Sequence, residues 1–303
     1  MFEKILNLQL QLLILMVLGI VVKRKKIIND SQQKGLSELL LNVLLPATII
    51  KSFIANESIS NELIKNSIVM ITICLIIQIV LIIILPKVLK SFGSEKARIM
   101  EYGLLVSNSS FIGIPIIEYL YDSQAVMYAS IYLIPLRFTM WTIGLALFDK
   151  NINLKKGIGK TLSHPCIVAV MLGFILLLTN IKLPTAITGS IEMVAKSTNC
   201  ISMITVGCAL ADIDYKNFFD FPTAIYTFLR LIILPLSVYF ILSALGIDKL
   251  LISISVLLTA MPCASSCPVL AQKYDCDYKF AAKLVLITTI LSVITIPCIC
   301  LLL

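Results

Sequence analysis

Long apolar runs alternate with short polar segments along the whole chain. Most of the runs approach the roughly 20 residues that an α-helix needs to cross a bilayer. Helices also satisfy their own backbone hydrogen bonds in lipid. The pattern therefore predicts an all-α polytopic membrane protein of ten transmembrane helices. The predicted helices are Ile5–Val22, Leu36–Ala55, Asn66–Leu85, Ile99–Tyr121, Ala125–Phe148, His164–Asn180, Thr185–Leu210, Pro222–Leu245, Leu250–Gln272 and Tyr278–Leu303.

The composition agrees with lipid as the solvent of most side chains. Hydrophobic residues make up 59% of the 303 positions, and charged residues make up only 14%. Soluble domains have about 45–50% apolar and about 25% charged residues, so a soluble chain this apolar could not cover its surface with polar groups. Ten helices leave about 100 residues for loops. We therefore expect function to lie within the helices.

The basic loop residues are distributed unevenly between the two predicted sides of the membrane. Seventeen Lys and Arg residues lie in loops on one side, and five lie on the other. Positive charge marks the cytoplasmic side, so the bias places both termini outside a plasma membrane. Topology thus accounts for the net charge of +8 without a nucleic-acid partner. The expected partner is the lipid bilayer, and a homodimer is left open.

Ten helices divide into two sets of five. Because five is an odd number, the second set must enter the membrane from the opposite side. That is the arrangement of an inverted-topology repeat, which is common in secondary transporters. We assign residues 1–148 to the first five-helix repeat, 149–163 to a cytoplasmic linker, and 164–303 to the second, inverted repeat.

The fourth helix of each half contains a cluster of small, polar and helix-breaking residues. The two clusters end at Pro115 and Pro268, which are 153 residues apart. Proline frees backbone groups, which protein or a wet cavity must then satisfy. Half-helix N-termini at such breaks favour an anion, and a carboxylate fits them well. The candidate substrate-binding residues are Asn108, Ser109, Ser110, Gly113, Pro115, Pro262, Cys263, Ala264, Ser265, Ser266 and Pro268. Kinked helices that pack through small residues are the alternative.

Milder breaks occur in the second helix of each half. Helix 2 contains Asn42 and Pro46, and the equivalent region of helix 7 contains Asn199. These residues are further substrate-binding candidates if they line the same cavity. Packing alone is the alternative role.

Charged residues inside the predicted helices are also informative, because a charge at a helix centre costs roughly 2.5–3.5 kcal/mol on insertion scales. Arg137 lies in the middle of helix 5 and is a candidate contact for an anion. Glu118 follows the helix 4 break and is a candidate site for proton or cation coupling. Arg230 is either an anion attractor or a snorkelling residue near a helix end, and Glu192 with Lys196 can pair on one helix face.

Sequence signals of catalysis are absent from the chain. No nucleophile–base pair, metal-spaced cluster or GxxxxGK[ST] phosphate loop occurs. The nine cysteines lie mostly in apolar runs and form no CxxC motif, which is typical of soft, buried side chains. We therefore predict neither an enzyme nor a bound metal or cofactor.

The motifs at the breaks resemble those of the auxin efflux carrier family over the whole chain. The first is Asn108 followed by Gly113-Ile114-Pro115, and the second is Ala260-Met261-Pro262 continued by Pro268-Val269-Leu270-Ala271-Gln272. The resemblance implies two inverted five-helix halves, with a scaffold part and a transport part that move in an elevator-like manner. It also implies that the broken helices 4 and 9 cross, and that Asn108 contacts a substrate carboxylate.

Two departures from the family pattern bear on the substrate. The loop between the halves is short, and His164-Pro165 stands where family members often have Asn-Pro. A bacterial-type carrier of a small mono- or dicarboxylate such as malate or malonate fits these features better than an exporter of auxin-like aromatic acids. A cation- or proton-coupled antiporter of the crossed-helix type remains the alternative, and it would depend on Glu118.

Overall fold

A computed structural model describes residues 2–55, 60–149, 158–159, 162–179, 181, 183–211 and 220–303, with the backbone alone at 2–6, 8 and 9. Most of these residues are helical, and strand-type pairing among them is limited to one isolated bridge between Ser107 and Cys263. Most of the predicted linker 149–163 lies outside the described residues.

Fifteen α-helices make up the described part of the chain. They are α1 (Phe2–Arg24), α2 (Asp30–Leu39), α3 (Leu45–Ile54), α4 (Asn61–Val88), α5 (Ser94–Leu105), α6 (Ile114–Leu120), α7 (Ser123–Thr139), α8 (Pro165–Thr179), α9 (Thr185–Lys196), α10 (Thr198–Ala211), α11 (Phe221–Phe228), α12 (Leu234–Ala244), α13 (Lys249–Ala260), α14 (Ser266–Lys273) and α15 (Tyr278–Cys300). The predicted helix 7, Thr185–Leu210, is therefore two helices, which separate at Ser197.

Wide π-helical turns join several of these helices, at Leu40–Leu44, Ser109–Gly113 and Leu229–Ile233. Each turn lies just before a helix with proline at its second position, namely Pro46, Pro115 or Pro235. Proline cannot donate a backbone hydrogen bond to the preceding turn, and its ring crowds that turn. A locally widened turn accommodates both effects without ending the helical path. A fourth wide turn, Met140–Gly144, extends α7.

Short polar residues begin several helices by accepting hydrogen bonds from the first backbone N–H groups. Ser60, Asp122 and Asp220 cap α4, α7 and α11 in this way. Asp220 also accepts a hydrogen bond from Lys283 Nζ at 3.0 Å. Partial burial opposes ionisation of Asp220, but hydrogen bonds from Thr223 and Lys283, together with the Lys283 charge, hold its pKa below the ordinary value.

Six helical segments are long and apolar enough, by length and composition, to cross a membrane. They are Asp30–Ile54, Asn61–Val88, Ser123–Gly144, Thr185–Ala211, Phe221–Ala244 and Tyr278–Cys300. Helix α4 shows how such a segment is oriented. It exposes Ile76 and Ile83 by 56% and 57%, whereas Gln78 is 95% buried, with 5% of its surface exposed. Apolar side chains facing outward and polar ones facing inward are expected where lipid surrounds the protein.

Glycines permit the closest helix contacts. Helix α1 packs on α10, where a Cβ added to Gly207 would lie 2.0 Å from the Met16 carbonyl oxygen and one on Gly19 would lie 2.2 Å from the Ile204 carbonyl oxygen. Helix α3 packs on α8, and there a Cβ on Gly173 would lie 2.5 Å from the Phe53 ring. Small residues that let backbones approach are the usual means of helix association in lipid.

Candidate functional site at two interrupted helices

Two helix interruptions meet inside the protein. Helix α5 ends at Leu105, and α13 ends at Ala260. The chain then runs through Val106–Asn108 in one segment and through Met261–Ala264 in the other. The Asn108 N–H donates to the Pro262 carbonyl at 2.8 Å, and the Ala264 N–H donates to the Val106 carbonyl at 3.3 Å. We call these two short antiparallel segments the crossing.

Buried hydroxyl groups satisfy other backbone groups that the breaks leave free. Ser107 and Ser109 donate to the Leu258 carbonyl at 3.2 Å and 2.9 Å. The Cys263 N–H donates to Thr288 Oγ1 at 3.1 Å. Because lipid offers no partners to a broken helix, these contacts explain how the interruptions are tolerated within an apolar chain.

Arg230 joins the two helix ends. Its side chain is 98% buried, with 2% of its surface exposed. Its Nε and Nη1 atoms donate at 2.8 Å each, to the carbonyls of Met261 and Leu104 respectively. These carbonyls lie at the C-terminal ends of α13 and α5, where the helix dipole favours a cation. Arg230 thus stabilises the crossing and does not snorkel to the surface.

Two buried hydrogen-bond donors at or beside the turn from Asn108 to Ser110 have no acceptor among the described residues. Asn108 is 95% buried, with 5% exposed, and its Nδ2 has no partner among the described residues. Arg137 is buried to a similar degree, and its Nη2 donates to Ser110 Oγ at 3.3 Å. Arg137 Nη1 likewise has no partner there. Two residues of chain span at most about 7 Å, so the backbone of Asn108 lies within about 7 Å of that of Ser110, the residue to which Arg137 donates.

The other candidates at the breaks have identifiable positions. Gly113 is required for packing, since a Cβ there would lie 2.9 Å from Leu258 Cδ2. Ser266 Oγ is hydrogen-bonded to the Tyr102 hydroxyl at 2.8 Å, which ties α14 to α5. Pro115 and Cys263 are buried, whereas Ser265 and Pro268 are half-buried.

The milder breaks of helices 2 and 7 are also brought together. The Thr48 and Thr198 hydroxyls lie 2.8 Å apart, and both donate to the Leu44 carbonyl, at 3.1 Å and 3.2 Å. Asn199 is half-buried, and its Oδ1 has no partner among the described residues. Pro46 is half-buried as well, but Asn42 is exposed on the surface. Threonines, rather than Asn42, therefore make this contact.

Glu118 lies away from the crossing. Its Oε1 accepts a hydrogen bond from Lys51 Nζ at 3.0 Å, and both side chains are partly exposed. The pair lines a polar cavity of about 250 Å³ together with Thr48, Ser52 and Asp122. Glu118 Oε2 has no partner among the described residues.

Several contributors to the crossing were not among the sequence candidates. Arg230 was considered only as an anion attractor or a snorkelling residue, and Tyr226 and Gly103 were not considered at all. A Cβ on Gly103 would lie 2.4 Å from the Tyr226 hydroxyl and 3.0 Å from Cys263 Sγ. The available signal was Arg230 within an apolar helix, five residues before Pro235. The predicted pairing of Glu192 with Lys196 is confirmed, at 2.9 Å on an exposed helix face.

Comparison with known proteins agrees with a helical membrane protein that has polar breaks. The family described as membrane transport protein matches residues 4–300, nearly the whole chain. The chain belongs to the membrane transport protein family. The resemblance to auxin efflux carriers is thereby confirmed, and this membrane transport protein is a transporter rather than an enzyme.

Similar proteins occur in bacteria and archaea. The uncharacterized transporter YfdV of Escherichia coli (strain K12) is 24% identical over 308 residues, which cover 95% of this chain and 94% of the relative. An uncharacterized transporter of Methanothermobacter thermautotrophicus is 25% identical over 292 residues, which cover 95% of each chain.

Proposed function

We propose that this membrane transport protein is a secondary carrier of a small organic anion, namely a mono- or dicarboxylate such as malate or malonate. The observation that carries the proposal is the excess of buried donors beside Ser110. Asn108 Nδ2 and Arg137 Nη1 both lack an acceptor among the described residues. Buried polar groups without partners are rare, and a carboxylate supplies two acceptor oxygens and a compensating charge.

The proposed substrate residues combine the donors with the shape of the crossing. Asn108 and Arg137 contact the carboxylate, and Ser110 holds Arg137 in place. Gly113, Pro262 and Ala264 fix the backbone around the site. Burial at the crossing supports a conformation that is closed to solvent, as alternating access requires at one stage of the cycle.

An inverted repeat of two five-helix halves, 1–148 and 164–303, underlies the proposed mechanism. Its support is reciprocal packing: α1 of the first half packs on α10 of the second, and α8 of the second half packs on α3 of the first. The paired threonines Thr48 and Thr198 lie 150 residues apart, close to the spacing of the two breaks. The proposal includes ten transmembrane helices in a plasma membrane, with both termini extracellular as the bias of basic loop residues predicts.

An elevator-like motion is the proposed form of alternating access. Helices α1–α3 and α8–α10 pack chiefly with one another, and so do α4–α7 and α11–α15. The crossing belongs to the second group, which would act as the transport part. Ser202 on α10 contacts the second group by donating to the Phe111 carbonyl in the turn Ser109–Gly113, so this contact must break when the two groups move.

Flux measurements test the proposal. The purified protein is reconstituted into proteoliposomes, and uptake of labelled acetate, lactate, malonate, malate and indole-3-acetate is followed over substrate concentration. We expect saturable uptake of at least one small aliphatic acid. Absence of saturable uptake for every acid, with protein that remains folded in the vesicles, would refute the proposal, and preference for indole-3-acetate would favour an auxin-like carrier.

Cation or proton coupling through Glu118 is the second candidate, and the unpartnered Glu118 Oε2 in a polar cavity favours it. Under this alternative, a proton or cation binds at Glu118 as the two helix groups move. Uptake should then depend on a pH or sodium gradient, and Glu118→Gln should abolish that dependence. Uptake that is indifferent to both gradients would exclude the alternative.

A further inference from the structure

The protein buries two arginines near the interrupted helices, and the two guanidinium groups have different hydrogen-bond acceptors. Arg230 donates two hydrogen bonds of 2.8 Å to carbonyls at two helix C-terminal ends. Those ends carry partial negative charge, so the Arg230 charge is compensated in the protein itself. Arg137 donates to no carbonyl or carboxylate among the residues that the structure describes.

The groups that contact Arg137 among the described residues are a hydroxyl and a thiol. Arg137 donates to Ser110 Oγ at 3.3 Å, and the Cys166 thiol lies close to its guanidinium group. None of the ion pairs in the described part of the chain involves Arg137. Glu118, which follows the same break, is paired with Lys51 in a separate cavity. A buried cation without a counter-charge is costly, so the empty site is the electrostatically unfavourable state.

Binding of an anion changes this balance. A carboxylate beside Arg137 supplies the missing negative charge and accepts from the unpartnered Nη1. The loaded site can then pass through a closed, water-excluding conformation at a lower cost than the empty site, since only the empty site carries an uncompensated charge.

We propose that the carrier works as an exchanger, with Arg137 enforcing the exchange. The loaded carrier changes conformation readily, and the empty carrier does so slowly. Release of an anion on one side is therefore followed by return with another anion. This inference rests on the proposed function, because it requires the anion to bind beside Arg137.

The experiment compares two fluxes in the same vesicles. Proteoliposomes are loaded with labelled malonate, or with whichever acid gives saturable uptake, and efflux is timed into buffer with or without the unlabelled acid. Equal potassium on both sides and valinomycin hold the membrane potential at zero, so charge build-up cannot slow the net efflux. We expect external acid to accelerate efflux by about tenfold or more, a factor equivalent to a modest difference in barrier height.

Two matched variants separate the Arg137 charge from its size. Arg137→Gln keeps a hydrogen-bonding group but removes the charge, and it should reduce the acceleration by external acid towards onefold. Arg137→Lys keeps the charge and should retain the acceleration, even if its apparent affinity for the acid is lower. Size-exclusion profiles establish that both variants are folded.

The possible outcomes are distinct. Equal efflux with and without external acid in the unmodified protein would overturn the exchange proposal and leave the carrier function intact. Acceleration that persists in Arg137→Gln would overturn the role of Arg137. Absence of flux in either direction, with folded protein, would overturn the proposed function itself.

Discussion

Replacing Arg230 by methionine tests whether this arginine holds the crossing together. Methionine keeps most of the side-chain volume but removes the donors to the Leu104 and Met261 carbonyls. A hydrogen bond to a charged group contributes about 1.5–3 kcal/mol, so two of them contribute about 3–6 kcal/mol. Some of this is recovered, because a buried cation no longer has to be desolvated. We expect a net loss near the lower end, about 3 kcal/mol.

The expected loss can be followed as a thermal shift. With an unfolding entropy of about 2.1 cal/mol/K per residue, 1 kcal/mol corresponds to about 1.6 °C in a chain of 303 residues, so Arg230→Met should lower the Tm by about 5 °C. Six of the nine cysteines are buried, and a maleimide fluorophore that reacts as they become exposed reports unfolding in detergent. The readout therefore follows the packed interior directly.

Arg137→Met is the matched control. It removes one hydrogen bond of 3.3 Å, which contributes about 1 kcal/mol, and it also removes a buried cation that has no counter-charge. We expect its Tm to stay within about 3 °C of the unmodified protein. Equal shifts for the two arginine variants, or an unchanged Tm for Arg230→Met, would refute the distinction between a structural and a substrate-binding arginine.

Three further perturbations test other parts of the fold. Gly207→Ala should destabilise the protein by about 1–3 kcal/mol, because the added methyl group meets a carbonyl oxygen of α1. Gly189→Ala is the control and should not lower the Tm, because a Cβ at Gly189 would have no atom within 4 Å. Each single variant, Lys51→Glu or Glu118→Lys, should lose less than about 1 kcal/mol of stability, because the pair is partly exposed. The double variant restores opposite charges and should recover most of the lost Tm. No recovery would argue against the pairing. Asp220→Asn keeps the helix cap but loses a carboxylate whose pKa is depressed in the fold. Its deficit in Tm should therefore be full at neutral pH and should disappear as the pH falls through the folded pKa, below about 4; a deficit that grows on acidification would contradict this.

The helical architecture could be predicted from the sequence because lipid imposes a simple rule on it. Apolar length defined the segments, and the predicted breaks before Pro115 and Pro268 appear in the structure as the ends of α5 and α13, which meet at the crossing. Other features depended on which groups come together in space. Nothing in the local sequence indicated that Thr48 and Thr198 share the Leu44 carbonyl, because the two threonines are 150 residues apart.

The sequence could predict which polar residues lie near the candidate site, but not which of them stabilise the fold and which are left to bind a substrate. Asn108 and Arg137 were identified as polar residues in apolar surroundings, and a donor of each has no partner in the described part of the chain. Arg230 has the same appearance in the sequence, yet it is satisfied by two carbonyls. Asn42 has the appearance of Asn108 but is exposed. A polar or charged residue within an apolar run indicates that its burial costs free energy. Its function depends on the hydrogen-bond partners that the fold places beside it.

The most direct test of the anion site is the substrate affinity of Asn108→Ala compared with that of Asn42→Ala. Uptake of labelled malonate, or of the best substrate of the panel, is measured over concentration in proteoliposomes. We expect the half-saturation concentration to rise by about tenfold in Asn108→Ala, which corresponds to the loss of about 1.4 kcal/mol of hydrogen bonding, and to remain unchanged in Asn42→Ala. An unchanged half-saturation concentration in folded Asn108→Ala would contradict the assignment of the site.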